Sequence, residues 1–296
     1  MYNITAAQGR GGMTAGTDVT VRYFDLSPPL RRYFIALFCM TIDCPDGEIV
    51  SDILHPEWGG LRICEGDPTQ VQIGPDGNPH SGPFLANGPT SRAPRIAAGK
   101  SRIWVLSLFP AGWARFIDAP ADEYADRLVD GFAAPAFSSF AALPGLVGRG
   151  NGDEEATARL IDTFLLSLLD HAAPNEEQVF VCQDALQDPE IAGASELGER
   201  IGMSRRSLER LCRRHFGFPP KLLLRRQRFL SSLAHFTNDP SVNWVRALDP
   251  RYHDQAQFVR EFREFMGLTP RKYAALPHPV IEPVIRNFRS SWFGGQ

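Results

Sequence analysis

The sequence predicts an α+β chain of two domains: a β-rich N-terminal domain, a helical linker and an all-α C-terminal domain with two helix-turn-helix units. Three observations carry that prediction. Short β-branched and aromatic runs cut by Pro and Gly fill residues 19–116, the pattern of a sandwich or barrel. From Ser195 to Tyr273 one helical unit is written twice at a fixed offset, so that Leu208 answers Phe258, Arg210 answers Arg260, Arg213 answers Arg263, Gly217 answers Gly267 and Pro220 answers Pro270. Charge is divided as well: residues 1–189 carry 13 Lys+Arg against 24 Asp+Glu, and residues 190–296 carry 18 against 10. A basic module beside an acidic one suits contact with phosphates through the C-terminal part alone.

The 296 residues allow roughly two domains, and a content of 43% hydrophobic and 22% charged residues is that of an ordinary globular protein. Five cysteines (Cys39, Cys44, Cys64, Cys182, Cys212) form no CxxC pair and are odd in number, which favours a reducing cytoplasm over secretion. The longest apolar run near the N-terminus, Phe34 to Met40, is seven residues. A membrane helix needs about 18, so no membrane partner is expected.

In chain order, residues 1–17 read as a flexible tail and residues 18–135 as the β-rich sensor or dimerisation domain. Its strands are expected at Val19–Phe24, Phe34–Ile42, Glu48–Leu54, Leu61–Cys64, Thr69–Ile73 and Ile103–Phe109, with a short helix from Pro28 to Tyr33. Turns are expected at Gly74–Pro79, Gly82-Pro83 and Asn87-Gly88-Pro89, and a helix over Ala119–Arg127 behind Pro120. Residues 136–185 form the connector and linker helix, of which Pro135 to Gly152 is punctuated by Gly, Pro and Ser. Residues 153–171 then read as an amphipathic helix, with Ile161, Phe164, Leu165 and Leu168 at helical spacing and Asp153, Glu154 and Glu155 at the dipole-favoured end. That stripe packs on its own domain or forms the seam of a homodimer.

Residues 186–280 hold the repeat. In the first copy Ser195 is expected to cap a short helix, Gly202-Met203 to turn, and Ser204 to cap a second helix whose Leu208, Leu211, Cys212 and Phe216 face inward. Arg206, Glu209, Arg210 and Arg213 form the opposite stripe, suited to guanine edges and phosphates. Pro220 to Phe236 reads as a strut with Leu222, Arg226, Phe229, Leu230 and Leu233 on one side; its Arg225, Arg226 and Arg228 offer phosphate contacts or solvate it. The second copy starts at Ser241–Val245, turns at Asp249-Pro250-Arg251-Tyr252 and caps its second helix with Asp254. Phe258, Phe262 and Phe265 pack inward, leaving Gln255, Gln257, Arg260 and Arg263 outward. Residues 281–296 read as a tail.

The run Asp254-Gln255-Ala256-x-Phe258-x-x-x-Phe262, followed by Gly267-Leu268-Thr269-Pro270-x-x-Tyr273, resembles the C-terminal DNA-binding domain of AraC/XylS-type transcription regulators. The resemblance covers about 90 residues. It implies a seven-helix domain that binds double-stranded DNA, with base-facing positions at Arg206 and Arg210 in the first recognition helix and at Ala256 and Arg260 in the second. Ser204, Arg205, Ser207, Arg213, Gln255, Gln257 and Arg263 flank them. Two departures stand out: Arg251 replaces a glycine usual in the second turn, and Ala256 offers little beyond contact with a thymine methyl. The first unit is therefore expected to carry more of the specificity.

The segment Ala111-Gly112-Trp113-Ala114-Arg115-Phe116 and the Ala119-Pro120-Ala121-Asp122-Glu123 that follows resemble the end of the cupin-like sensor half of one group of these regulators. The resemblance implies a sequence-specific regulator controlled by a small-molecule effector or by dimerisation, with RNA polymerase as a further partner. No cofactor or catalytic residue is expected. The rival is a promoter-bound enzyme: His55, Glu57 and His80 as metal ligands, or Cys39 as a reactive thiol. No HxH pair is present, and Cys39 sits in an apolar run. Tyr33, Trp58, Trp104, Phe109 and Trp113 line an effector pocket or form core.

Overall fold

A computed structural model describes residues 16–169, 175–238 and 248–287. The N-terminal region holds ten strands: β1 Asp18–Phe24, β2 Phe34–Asp43, β3 Val50–Ile53, β4 Gly60–Gly66, β5 Thr69–Ile73, β6 His80–Ser81, β7 Phe84–Asn87, β8 Pro94–Ala98, β9 Ser101–Leu108 and β10 Leu128–Asp130. They pair antiparallel into two sheets, ordered β1-β2-β9-β4-β7-β10 and β3-β8-β5-β6.

Alternation along the strands explains why both faces of the larger sheet are dry. On β2 and β9, Phe38, Met40, Ile103 and Val105 turn toward the second sheet, where Val71, Ile73 and Ile96 meet them. Their neighbours Leu37, Cys39, Trp104 and Leu106 turn the other way, onto helices. A strand buried on both faces reads as a continuous apolar run, which is the origin of Phe34 to Met40.

The covering helices are α1 Pro110–Phe116, α2 Leu143–Arg149, α3 Glu154–Ser167 and α4 Glu176–Ala185. Asp153 caps α3 by accepting from the Ala156 N–H at 3.0 Å, and Arg22 of β1 pairs with Glu154 and Glu155 beside it. The stripe expected to serve either the domain or a dimer seam is used at home: Ile161 and Leu165 are 1% and 0% exposed in the shared core, and Phe164 packs against it.

Three expectations need correction. The helix over Ala119–Arg127 is only a 3-10 turn at Ala121–Glu123 leading into β10. Asp126 lies at φ 54, outside any right-handed helix, and its carboxylate accepts from Ser91 and Arg92 instead. Strands β6, β7, β8 and β10 and helices α1 and α4 add to the expected elements. The Pro135–Gly152 connector contains a 3-10 helix at Pro135–Phe140 and then α2.

The C-terminal part comprises α5 Ala194–Arg200, α6 Arg205–Phe216, α7 Pro220–Asn238, α8 Gln255–Met266, α9 Pro270–Ala274 and α10 Ile281–Asn287. The expected start of the second copy, Ser241–Val245, lies outside the described residues. The core of the first unit (Leu197, Leu208, Leu211, Cys212, Phe216) is continuous with that of the N-terminal region. The second unit packs Phe229, Phe258, Phe262 and Phe265 together with Ile53 and Ala93 of the barrel.

Candidate nucleic-acid interface and interdomain cavity

Helices α6 and α8 are built alike because their ends are dictated alike. Each has 12 residues. Ser204 Oγ accepts from the Ser207 N–H at 3.2 Å, and Asp254 Oδ1 accepts from the Gln257 N–H at 2.6 Å. At the other end Gly217 and Gly267 close the helices at φ 79 and 76, a conformation only glycine adopts cheaply. Gly202 supplies the same freedom, φ 67, in the first turn. Ser195, by contrast, does not cap α5. Gly193 holds the cap position, and Ser195 sits in the first turn with its hydroxyl 3.3 Å from Glu199.

On α6, Arg205, Arg206, Arg210 and Arg213 are exposed, Ser207 is half-buried beside the Ser204 hydroxyl, and Arg213 is tied to Glu209 at 3.1 Å. Arg214, absent from the stripe the sequence predicts, joins the same groove, whose far wall is Pro120 and Asp122 of the N-terminal region. Beneath the stripe His215 is buried and held neutral, its pKa lowered to about 4 by burial and by Arg214.

On α8, Gln255, Ala256, Arg260 and Arg263 are exposed. Gln257 is engaged, donating to Glu261 at 3.4 Å and accepting from the His253 N–H at 3.3 Å. The strut does not offer its arginines to DNA. Arg225 pairs with Glu261 and Glu264, Arg228 pairs with Glu261 and lies 4.6 Å from the Tyr252 ring, and Arg226 is buried toward the barrel.

The turn residue Arg251 is not strained. The described non-glycine residues at positive φ are Asp126, Asn151, Asn175 and His278, so Arg251 lies outside the left-handed region. It forms a two-pronged ion pair with Asp249, at 2.9 and 2.7 Å, and reaches the Ile191 carbonyl at 3.3 Å.

The residues considered for enzymatic chemistry do not assemble. His55 bonds the Tyr273 hydroxyl through Nε2 at 2.8 Å, and burial, with the charge of His278, lowers its pKa to about 3. Glu57 pairs with Arg62, and His80 is exposed. Among the described residues no group of three or more His, Cys, Asp or Glu is placed to hold a metal. Burial first, then the charge of Glu154, pushes the Cys39 thiol up to about 12.

Of the five aromatics considered for a pocket, Tyr33, Trp104 and Trp113 are core, and Phe109 is half-buried at the start of α1. Trp58 alone lines a cavity of about 240 Å³. Its walls come from the larger sheet (Tyr23, Phe38, Met40, Ile103) and Ile96 of the smaller one, from α7 (Arg226, Leu230, Ala234) and from α10 (Ile281, Val284, Ile285).

The expected tail is therefore structural in its first half. Asp52 of β3 seats it, accepting from the Val280 and Ile281 N–H groups at 2.9 and 2.8 Å and from His278 at 3.1 Å. One sequence signal pointed at the cavity: Arg226 falls on the apolar side of its helix.

Two equally capped helices that present cations, joined by a strut, define a double helix-turn-helix DNA-binding domain. Residues 197–275 match the family model described as a helix-turn-helix domain, and the domain is of the AraC type. Among solved structures, the chain is similar to ToxT from Vibrio cholerae, with 7% identity, a TM-score of 0.44 and coverage of 88% of this chain and 98% of that one. It is also similar to the AraC-like transcriptional activator CuxR, with 12% identity, a TM-score of 0.31 and coverage of 73% and 87%. No curated protein matches. No described helix is long and apolar enough to cross a membrane.

Proposed function

We propose that this chain is a sequence-specific, non-catalytic transcription regulator that binds double-stranded DNA through α6 and α8 and is controlled by a small molecule held in its N-terminal half. The observation behind this reading is the contrast between paired and unpaired arginines. Those of the strut and of the second turn are bound internally, whereas Arg205, Arg206, Arg210, Arg214, Arg260 and Arg263 are exposed without an ion-pair or hydrogen-bond partner among the described residues. Cations left free on the two faces that a groove can reach supply affinity from phosphates and specificity from base edges.

Sensing is assigned to residues 18–135, the connector to 136–185 and DNA binding to 186–280. A cytoplasmic location follows from a DNA target. Contact with RNA polymerase is a further expectation of this role. A homodimer through residues 153–171 would rest on Phe164 and Leu168, the half-buried members of the stripe. Selection of bound sequences from a random DNA pool tests the reading. Two half-sites about one helical turn apart are the expected product, and a pool that gains no sequence bias would refute it.

A further inference from the structure

One short stretch of the N-terminal region, Pro89 to Ala93 between β7 and β8, touches both recognition helices and the strut that joins them. At its start Pro89 packs on the end of α6: a Cβ placed at Gly217 would lie 3.0 Å from Pro89 Cγ and 3.2 Å from the Ala121 carbonyl oxygen. In its middle the Thr90 carbonyl accepts from Arg226 Nε of the strut at 2.9 Å. At its end the Ala93 N–H donates to the Phe265 carbonyl, in the last turn of α8, at 2.7 Å. The Ala93 carbonyl accepts in turn from the Gly74 N–H at 3.1 Å, next to Pro75, whose Cγ stands 3.2 Å from a Cβ placed at Gly267. Gly217 and Gly267 are the same position of the repeated unit, so the two heads are met at the same point, each by a proline of the N-terminal region.

Contacts of this kind position the heads only if the stretch is itself rigid, and it is tied at every residue. Asp126 supplies most of the ties. Its N–H donates to the Pro89 carbonyl at 2.9 Å, and its carboxylate accepts from the Ser91 N–H and hydroxyl at 2.6 Å each and from the Arg92 N–H at 3.2 Å. It does so from φ 54, a left-handed backbone that costs most side chains energy and that aspartate tolerates better than others. Thr90, 0% exposed, is bonded to Glu57 twice: its N–H donates to the Glu57 carbonyl at 2.8 Å, and its Oγ1 accepts from the Glu57 N–H at 2.9 Å. The strut alone leaves each head a joint. α6 reaches it through the left-handed Gly217, and α8 follows it only after residues 239–254.

We propose that Pro89–Ala93 is a splint that fixes the placement of α6 relative to α8, with Asp126 as its positioning residue, so that the N-terminal region decides which spacing of half-sites the chain accepts. The proposal rests on the DNA-binding reading above. Each base pair inserted between two half-sites moves one of them by about 3.4 Å and turns it by about 34–36° around the duplex. Heads held in one geometry fit one spacing, whereas jointed heads follow the DNA.

The test uses the full chain and the duplex recovered by selection, remade with one or two base pairs added to or removed from the interval between its half-sites. The unmodified chain is expected to lose at least about tenfold in affinity at each altered spacing, the scale of one lost base-pair contact. Asp126→Ala should flatten that profile and leave affinity for a duplex with a single half-site unchanged. Asp126→Asn, which keeps an acceptor and tolerates the same backbone, should restore most of it. A flat profile for the unmodified chain overturns the proposal without recourse to a variant, and so does an Asp126→Ala chain that binds more weakly, or more tightly, at all spacings alike. Spin labels at Arg213→Cys and Arg263→Cys, in a Cys64→Ser background whose remaining cysteines are buried, report the helix separation without DNA. A single narrow distance distribution is expected, broadened by Asp126→Ala; a broad one from the start, or one that Asp126→Ala leaves unchanged, overturns the splint. A chain that binds DNA with the same spacing profile whether or not Asp126 is present sinks the splint alone. A chain that binds no DNA, but whose narrow distribution broadens in Asp126→Ala, sinks the regulator reading and leaves the splint standing.

Discussion

Arg251 stands where a helix-turn-helix turn favours glycine, and the structure shows how an arginine fits there. It avoids the left-handed region and uses its guanidinium to tie the turn to Asp249 and to the chain before α5. Arg251→Gly should therefore destabilise the fold, by about 1–2 kcal/mol in urea melts, where relief of strain would have stabilised it. Any asymmetry between the two units now rests on Ala256 set against Arg206. Arg210→Ala is expected to cost about 1–3 kcal/mol of DNA affinity at fixed salt and Arg260→Ala less; equal losses in parallel titrations would remove the asymmetry.

His278 behaves as a permanent donor, because Nδ1 faces Asp52 at 3.1 Å and Nε2 faces the Tyr273 carbonyl at 2.8 Å, so both nitrogens need protons. Burial opposes that charge, but the Asp52 carboxylate outweighs it and raises the pKa. The sign follows: the stability that His278 contributes is full below its unfolded pKa of about 6.5 and fades as pH rises through the higher folded value. The stability gap between the unmodified chain and His278→Asn should thus be widest in mildly acidic buffer and close toward alkaline pH. A gap that widens instead would mean the imidazole is neutral in the fold.

Among the elements, α8 is tied to α7 and to the preceding turn through a single carboxylate. Glu261, 5% exposed, accepts from Arg225, Arg228 and the Tyr252 hydroxyl. Glu261→Gln leaves the part-buried Arg228 without its anion, while Arg225 keeps Glu264, and should cost about 3 kcal/mol in chemical denaturation, near the low end for breaking a buried pair.

Legibility also divides at this scale. The caps Ser204 and Asp254 were readable because capping is local chemistry, and Thr69–Ile73 because strand period shows in five residues. β8 was not, since Pro94 opens it and Ala97-Ala98 carry little β preference. α4 escaped notice because Val179, Phe180, Cys182 and Ala185 are buried around much of its circumference, which blurs a helical stripe. The basic stripe of the site was legible because it is exposed and periodic. The cavity was not, because its walls come from several separated stretches of chain that only the tertiary fold brings together.

At the scale of the molecule the two regions are not beads on a string. A backbone hydrogen bond runs from Ala93 N–H to the Phe265 carbonyl at 2.7 Å, Trp58 meets both Phe216 and Arg226, and one core runs from the larger sheet into the first unit. Calorimetry is therefore expected to show a single cooperative transition; two separated peaks would contradict the continuous core. If the six free arginines all meet phosphates, DNA affinity should fall about 10³-fold between 50 and 200 mM salt.

The seating of α10 by Asp52 has a consequence for how the protein is made. The backbone N–H groups that satisfy the Asp52 carboxylate lie 228 and 229 residues further along the chain. A β-rich half emerging from a ribosome is accordingly short of one wall, with a carboxylate at its rim that has only its local Ile53 donor, until most of the remaining polypeptide has followed. Contacts of such sequence separation form late and slowly. Through that interval the hydrophobic interior stands open, a period in which a chaperone can bind it or an apolar molecule can enter without prising the finished structure apart.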